Sequence, residues 1–459
     1  MDNYSEIRGG LFPASLVKLF YINHPFVFMQ MSFDENFVKE IRKRFPRIEK
    51  DFTGRKRIFV DNGAGSLVLG DAATTESKSR IDYSANTDAL YNESKANENI
   101  LLKGRRAVAD LLNAPSELNI YQGESASDLF FRISYALRGI FDRDSNVVSS
   151  YAEHFANVSP YLEMKRSNKI SELRLAKLNR EDGTVDLDHL ASLVNRRTKV
   201  IAITAESNLL GNKVNIPELS KVAVENDSLL LVDGVHFAPQ GYSDIKRMGC
   251  DFFVFSAYKI FGPRGSFTYI SDRALDSMRP FYVDREAMPG VSSYFEIGTR
   301  DQGIFSAMSS VVDYISSLSL DITRFKKRKL PKNRRNGVRK GMERIENYHK
   351  ELSRLILDGT GETEGLASMK NVILYGISDS KRLGERGTTF SFNFKNVTDK
   401  RAEEIYWKRY GITTVGGSHW NLSHDYYSNP SMLRVTFLHY NSLAEVEQFL
   451  KATRWISTR

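Results

Sequence analysis

The chain has 459 residues, 41% of them hydrophobic and 26% charged, which is ordinary for a globular protein. Its single cysteine, Cys250, excludes an internal disulfide and a cysteine metal cluster, and it suits a reducing compartment such as the cytoplasm. The formal net charge of +9 is concentrated in one short segment, which argues against the broad basic surface of a general nucleic-acid-binding protein.

The N-terminal residues 16–31 are fairly apolar. Polar residues and a proline interrupt this stretch, namely Lys18, Asn23, His24 and Pro25. It therefore predicts neither a signal peptide nor a membrane span, and no membrane partner is expected.

Residues 100–325 alternate short apolar runs with amphipathic stretches. The runs predict strands and the stretches predict helices, a pattern that favours a doubly wound, mostly parallel sheet. The predicted strands are 146–148, 199–203, 229–232 and 252–255, and the predicted helices include 188–194 and 216–223.

The basic segment, residues 324–344, holds eleven Lys or Arg and one acid, Glu343. One interpretation is a docking site for an anionic partner. The other is an exposed loop that leads into a helix, since charge runs are usually solvated.

The last third of the chain changes character. It predicts a long helix at 341–357, strands at 388–392 and 433–437, and a final amphipathic helix at 443–456. The sequence therefore predicts a large domain at 61–325 and a smaller α+β domain at 326–459, with residues 1–60 packed against the smaller one.

Two of the predicted strands lead into an ionisable residue. Asp233 follows the run 229–232, and Lys259 follows the run 252–255. The carboxyl ends of parallel strands meet at one edge of a sheet, where ligands bind. A pyridoxal phosphate enzyme needs this pair, because a lysine forms the Schiff base and a carboxylate keeps the pyridine nitrogen protonated.

Two segments around these residues carry a resemblance to a known family. They are residues 232–239 (VDGVHFAP) and 256–263 (SAYKIFGP). With them, the chain from about residue 59 to 456 resembles the class V aminotransferases, which are fold-type I pyridoxal phosphate enzymes, and within these the cysteine desulfurase-like branch. The resemblance implies an α/β fold with a large sheet domain and a smaller α+β domain.

The resemblance also implies a cofactor site. Lys259 would carry the Schiff base and Asp233 would pair with the pyridine nitrogen. His154 would stack on the ring, and Asn208 would lie beside the phenolic oxygen. His236 stands where desulfurases have glutamine, and two roles stay open for it: a hydrogen bond to the same oxygen, or proton handling.

A phosphate needs backbone N–H groups at a helix start together with hydroxyl groups. Ser125 and Ala126 supply both ahead of an apolar helix at 129–137, and Ser256 and Tyr258 flank Lys259. Thr299 resembles the family threonine that reaches the neighbouring subunit's phosphate, which implies a homodimer. Glu124 departs from the family pattern, since desulfurases usually carry threonine there, and it must point away from a dianion.

Arg434 matches the family arginine that binds the substrate carboxylate, for which a planar bidentate donor is suited. The alternative is an arginine on a solvated strand face. In the nearby segment 414–422, His419 and Trp420 indicate either a substrate-facing lid or a tight turn. Trp420 stands where desulfurases carry the nucleophilic thiol, so persulfide transfer is not expected.

The sequence therefore predicts a cytoplasmic, homodimeric pyridoxal phosphate enzyme acting on an amino acid or amine, first of all an aminotransferase. The alternatives are a C–S lyase or other β-eliminating or epimerising enzyme. From a different class of function, a cofactor-binding scaffold would dock an anionic partner through residues 324–344. Nothing in the sequence indicates a metal site.

Overall fold

The computed structural model describes residues 32–281 and 292–459. The apolar stretch 16–31 lies outside the described residues. Within these two ranges, no helix is both long enough and apolar enough to cross a membrane.

The described part of the chain is an α/β structure in which helices surround one large sheet. The strands are β1 Ile58–Phe59, β2 Ile120–Gly123, β3 Asn146–Ser150, β4 Glu172–Ala176, β5 Thr198–Thr204, β6 Leu229–Asp233, β7 Phe252–Ser256, β8 Ser266–Ile270, β9 Val372–Tyr375, β10 Thr389–Phe394, β11 Ile412–Thr413, β12 Val415–Gly417 and β13 Met432–Thr436. The helices are α1 Glu35–Arg42, α2 Gly70–Asp82, α3 Asn92–Leu111, α4 Ala126–Ala136, α5 Phe155–Arg166, α6 Leu187–Leu193, α7 Ile216–Glu225, α8 Ile245–Met248, α9 Asp272–Ser277, α10 Gln302–Ser317, α11 Ile322–Lys326, α12 Arg334–Asp358, α13 Asp399–Ile405, α14 Ser423–Tyr427 and α15 Leu443–Ser457.

The large sheet has seven strands in the order β2-β8-β7-β6-β5-β3-β4. Strands β7, β6, β5, β3 and β4 are parallel neighbours, whereas β8 runs antiparallel to both β7 and β2. Every residue of β3, β6, β7 and β8 is buried, because helices cover both faces. In β7 the side chains alternate between two cores, with Phe253 and Phe255 in one and Phe252 and Val254 in the other.

A second sheet is formed by the C-terminal part of the chain. Its four antiparallel strands lie in the order β12-β13-β10-β9. The N-terminal strand β1 pairs in parallel with β11, so the residues before 60 contact this region. The predicted domain boundaries at 60 and 326 stay a prediction.

The predicted strands of the large sheet are confirmed as β3, β5, β6 and β7, and the α/β fold class is confirmed with them. The long helix predicted at 341–357 begins earlier, at Arg334, so the second half of the basic segment is helical. Its early start follows from Asn333, whose side chain caps the helix by accepting from the N–H of Asn336.

The basic segment is largely engaged within the chain itself. Arg334 and Arg335 both contact Asp110, at 2.7 and 3.0 Å. The Arg344 guanidinium donates to the backbone carbonyls of Ser32 and Leu320 at 2.8 and 2.9 Å. The basic residues on which the predicted docking site depends therefore form ion pairs and hydrogen bonds that hold α12 against the rest of the fold.

Candidate active site

The carboxyl edge of the large sheet gathers the residues that sequence analysis singled out. Asp233 is the last residue of β6, Lys259 lies three residues past the end of β7, Asn208 follows β5 and His154 follows β3. These four side chains border one pocket. It is lined by Ser125, Ala126, Ser127, Phe130, His154, Ala156, Thr204, Glu206, Asn208, Asp233, Val235, His236, Ser256, Tyr258 and Lys259.

Lys259 is a buried amine. Its Nζ donates to the backbone carbonyl of Gly63 at 2.9 Å, and the side chain is 8% exposed. Burial lowers its pKa from 10.5 to about 8, assisted by the charge of Arg434 and opposed by Asp233 and Asp61. Roughly a tenth of the amine is therefore unprotonated at pH 7, far more than for an exposed lysine, as a nucleophile or base requires.

Asp233 supplies a carboxylate at the same edge. Its Oδ1 accepts from the N–H of Val235 at 2.9 Å. Burial raises its pKa to about 6, while this hydrogen bond and the charge of Lys259 lower it. A cationic ring nitrogen beside the carboxylate would favour the ionised form and be held by it.

Two histidines border the pocket as neutral imidazoles. His154 caps α5, where its Nδ1 accepts from the N–H of Ala156 at 3.1 Å, and burial lowers its pKa to about 4. Burial also lowers the pKa of His236 well below 6.5. The Nε2 of His236 lies 2.6 Å from Thr389 Oγ1. Both rings therefore act as hydrogen-bonding groups rather than cations at neutral pH.

The start of α4 faces the pocket with backbone N–H groups. Ser125 is the N-cap residue, and its hydroxyl accepts from the N–H of Asp128 at 3.1 Å. Ala126 and Ser127, in the first turn, border the pocket, so their N–H groups suit an anion. Glu124 is exposed and does not line the pocket. Ser256 adds a hydroxyl, 3.1 Å from that of Ser266.

Arg434 is buried in β13 rather than solvated. One guanidinium nitrogen donates to the carbonyl of Asn208 at 3.0 Å, and another lies 3.6 Å from Asp61 Oδ1. Its Nε has no hydrogen bond with any residue of the described ranges. Gly63 lies beside it, because a Cβ at that position would stand 2.8 Å from Arg434 Nε. The backbone of Gly63 therefore lies between Lys259, which donates to its carbonyl, and Arg434, which packs against it.

The segment that holds His419 and Trp420 is a tight turn. Both residues have left-handed backbone conformations, with φ of 49° and 53°. His419 Nε2 lies 2.9 Å from the carbonyl of Met432, and the His419 carbonyl accepts from Asn208 Nδ2 at 2.9 Å. Trp420 is 71% exposed. This conformation brings neither side chain to the pocket, so their substrate contacts stay a prediction.

Tyr258 and Thr299, the remaining predicted cofactor contacts, differ in position. Tyr258 borders the pocket beside Lys259. Thr299 is exposed and lies outside the pocket of its own chain. It follows Glu296, whose carboxylate accepts from Arg105 and from the N–H of Gln122, both at 2.6 Å. Its predicted role in a neighbouring subunit's site stays a prediction.

Comparison with known proteins places this fold and pocket in a family. The model of the class V aminotransferases matches residues 58–354 and 338–449. The chain belongs to the class V aminotransferase family. It is similar to the cysteine desulfurase of Salmonella agona, with 27% identity over 431 residues that cover 90% of this chain and 96% of the relative.

Solved structures agree on the fold. A cysteine desulfurase from Thermococcus onnurineus superposes with a TM-score of 0.76 and 22% identity, covering 92% of this chain and 98% of that one. The cysteine desulfurase CsdA of Escherichia coli superposes with a TM-score of 0.72 and 19% identity, covering 91% and 97%. The chain thus has the fold-type I architecture of its family.

The cofactor of the class V aminotransferase family is pyridoxal phosphate, and the donor set of the pocket fits it. A buried amine, a buried carboxylate and a helix start with free N–H groups border one space. In this arrangement Lys259 would hold the aldehyde carbon, Asp233 the ring nitrogen, and the first turn of α4 the phosphate. Asn208 and His236 border the same pocket, where sequence analysis expects the phenolic oxygen.

The single cysteine lies away from this edge. Cys250 precedes β7, whereas Lys259 follows it, and the strand alone separates the two by about 13 Å at 3.3 Å per residue. The thiol is buried, and burial raises its pKa. Cys250 is therefore a core residue whose thiol is poorly suited to act as a nucleophile.

Two acids at the site were not predicted from the sequence. Glu206 lines the pocket between Thr204 and Asn208, with 0% exposure. Asp61 lies beside Arg434, and burial raises its pKa while Arg434 lowers it. Each acid follows a short apolar run, as Asp233 does. This position in the sequence could have indicated that the two acids lie at the site.

Proposed function

We propose that this protein is a pyridoxal phosphate enzyme that acts on an amino acid and catalyses transamination. The observation that carries the proposal is the buried amine of Lys259, with its lowered pKa, at the edge that also presents Asp233. Arg434 does not itself line this pocket, but it contacts the pocket residue Asn208. The cofactor, when bound, supplies an electron sink for the carbanion at the substrate Cα.

The residues of the chain supply binding and proton transfer. The substrate carboxylate is bound by Arg434, whose Nε is free of hydrogen bonds to the described residues. The carbonyl of Asn208 fixes the guanidinium through its 3.0 Å contact. Lys259 Nζ is the base for the Cα proton, because burial keeps part of the amine neutral near pH 7.

A second candidate reaction is β-elimination with cleavage of a C–S bond. The similarity to cysteine desulfurases along 90% of the chain favours it. Elimination needs a substrate that carries a leaving group such as a thiolate. Transamination needs no leaving group and uses the lysine as its proton carrier, and for this reason we place it first.

Persulfide transfer is not part of the proposal. It needs an accessible nucleophilic thiolate near the substrate, and Cys250 is buried at the other end of β7. The scaffold alternative is also less favoured, since the basic segment forms ion pairs within the chain.

The assembly and location are proposals of the same kind. We expect a homodimer in which the exposed Thr299 reaches the neighbouring phosphate site, and a cytoplasmic protein, which suits a lone cysteine. Replacement of Thr299 by Ala should weaken cofactor binding without changing the monomer fold. Equal cofactor affinity in the two proteins would contradict this role.

A substrate panel tests the function. The cofactor-loaded protein is mixed with each of the common amino acids and with simple amines, and absorbance and products are followed. Conversion to the pyridoxamine form with release of a keto acid supports transamination. Release of pyruvate and ammonia without that conversion supports elimination. If no amino acid changes the spectrum, the proposal of an amino-acid-converting enzyme fails.

A further inference from the structure

Glu206 is a pocket-lining acid that the roles described so far do not use. It is 0% exposed, and neither Oε1 nor Oε2 forms a hydrogen bond with a residue of the described ranges. Ionised carboxylates in protein interiors are normally paired or hydrogen-bonded, because an isolated buried charge is costly. The geometry therefore indicates a protonated, neutral carboxyl group.

The charged groups around Glu206 are committed to other partners. Lys213 pairs with Glu346 of α12 at 3.0 Å. The Arg386 guanidinium donates to backbone carbonyls, including that of Gly387 at 3.1 Å. Lys213 and Arg386 favour ionisation of Glu206 and Glu346 opposes it, but burial outweighs them and raises the pKa of Glu206 to about 8.

The ring nitrogen nearest to this carboxyl group belongs to His236. Nε2 of His236 lies 3.8 Å from Glu206 Oε1 and 2.6 Å from Thr389 Oγ1. Thr389 Oγ1 in turn lies 2.9 Å from Thr436 Oγ1. A neutral carboxyl group can donate a hydrogen bond toward Nε2, and it carries no negative charge that would attract an N–H group there. The hydroxyl chain can then run in one direction, with Thr436 donating to Thr389 and Thr389 donating to Nε2.

This direction has a consequence for the other ring nitrogen. If Nε2 accepts, the proton of the neutral imidazole is on Nδ1. Nδ1 forms no hydrogen bond within the described ranges, and His236 borders the pocket. An N–H group there suits an acceptor such as the phenolic oxygen of the cofactor.

We propose that Glu206 is a positioning residue for His236. In its neutral form it keeps Nε2 an acceptor and Nδ1 a donor, so that His236 presents an N–H group to the phenolic oxygen edge of the pocket. Loss of the Glu206 proton reverses the preference, since a carboxylate attracts an N–H on Nε2. This role of Glu206 holds for transamination and for elimination alike.

The tautomer of His236 tests the proposal directly. Nitrogen NMR of cofactor-free protein, labelled with ¹⁵N on histidine, reports which ring nitrogen carries the proton. The His236→Gln variant identifies the signal. We expect the Nδ1–H tautomer at pH 6.5 in the unmodified protein, and this arm needs no change at Glu206. An Nε2–H tautomer at pH 6.5 would overturn the proposal.

Two variants then identify the acid responsible. Glu206→Gln keeps the shape and a neutral donor, so His236 should retain the Nδ1–H tautomer and lose any change between pH 6.5 and 9. Glu153→Gln is the matched control, because Glu153 is equally buried but its carboxylate accepts from Ser150 and Asn157. It should leave the His236 signal of the unmodified protein unchanged. A His236 signal that titrates in the Glu206→Gln variant as it does in the unmodified protein would contradict the role of Glu206.

Cofactor affinity gives a second readout. We expect the ratio of the pyridoxal phosphate dissociation constants of the unmodified and Glu206→Gln proteins to rise about tenfold from pH 7 to pH 9, the effect of one hydrogen bond. The titration of Lys259 is common to both proteins and cancels in the ratio. A constant ratio would argue against the contact. Failure to bind the cofactor at all would refute the proposed function, whereas the tautomer result would stand.

Discussion

Replacement of Glu206 by Gln should change the pH dependence of stability, and the change can be measured as the number of protons released on unfolding. In the native protein the carboxyl group is fully buried without a hydrogen bond to any residue of 32–281 or 292–459, and burial raises its pKa from 4.5 to about 8. In the unfolded chain it titrates near its ordinary value, about 4.3. Between these two values the native state holds a proton that the unfolded state has released.

The sign and the size of the effect follow from this difference. Because the native state binds more protons, the free energy of unfolding falls as pH rises. One group contributes about 1.4 kcal/mol per pH unit, or roughly 2.7 kcal/mol between pH 5.5 and pH 7.5. Glutamine does not titrate, so the variant should lose this part of the slope. Its stability should match that of the unmodified protein only below about pH 4, where the carboxyl group is protonated in the unfolded chain as well.

The assay counts protons rather than relying on a two-state fit. Native and denaturant-unfolded samples of cofactor-free protein are titrated from pH 5 to pH 8, and the difference gives the protons released on unfolding. Glu206→Gln should reduce this number by about one. Glu181→Gln, at an exposed acid, should leave it unchanged. Proton release equal to that of the unmodified protein would refute the claim that Glu206 is neutral in the fold.

Three further substitutions test the roles assigned to Arg434, Gly63 and Cys250. Arg434→Gln removes hydrogen bonds to a charged group, which are worth about 1.5–3 kcal/mol, so it should lower kcat/KM for amino acids by roughly 10- to 200-fold. Equal losses for amines would contradict the role of Arg434 in binding the substrate carboxylate. Gly63→Ala places a Cβ 2.7 Å from Thr436 Oγ1 and 2.8 Å from Arg434 Nε, so it should cost about 1–3 kcal/mol of stability and weaken substrate binding. Gly361→Ala has no atom within 4 Å of its Cβ and serves as the control in urea unfolding. Cys250→Ala should leave the turnover rate within about twofold, and a loss of turnover at constant fold would show that the thiol takes part.

Local sequence patterns were sufficient to predict the edge of the large sheet. The runs before Asp233 and Lys259 are apolar because β6 and β7 are buried on both faces, so their ends stand out in the sequence. The resemblance to the class V aminotransferases added Asn208 and His154, which border the same pocket. The position of each of these residues is set by the strand that precedes it in the large sheet. Local patterns and the family resemblance both indicate those strands.

Contacts between distant segments could not be predicted in this way. Arg434 lies beside Asp61 because β13 contacts the segment after β1, with a bridge between Asp61 and Thr436. Glu206 lies beside His236 because the segments after the neighbouring strands β5 and β6 meet at one edge of the large sheet. Neither pairing leaves a periodic pattern in the sequence. The tight turn at Trp420 is similar, since its two left-handed residues are held by hydrogen bonds to remote groups such as Asn208. The antiparallel strand β8 (residues 266–270) was not predicted, although its aromatic and β-branched residues favour a strand.

The central claim is that Lys259 is the residue that binds the cofactor. Purified protein is incubated with pyridoxal phosphate, reduced with borohydride, digested and mapped by mass spectrometry. We expect a single modified lysine, Lys259, and a yellow protein before reduction, with both lost in Lys259→Ala. Modification of another lysine, or a protein that stays colourless in the presence of the cofactor, would contradict the account.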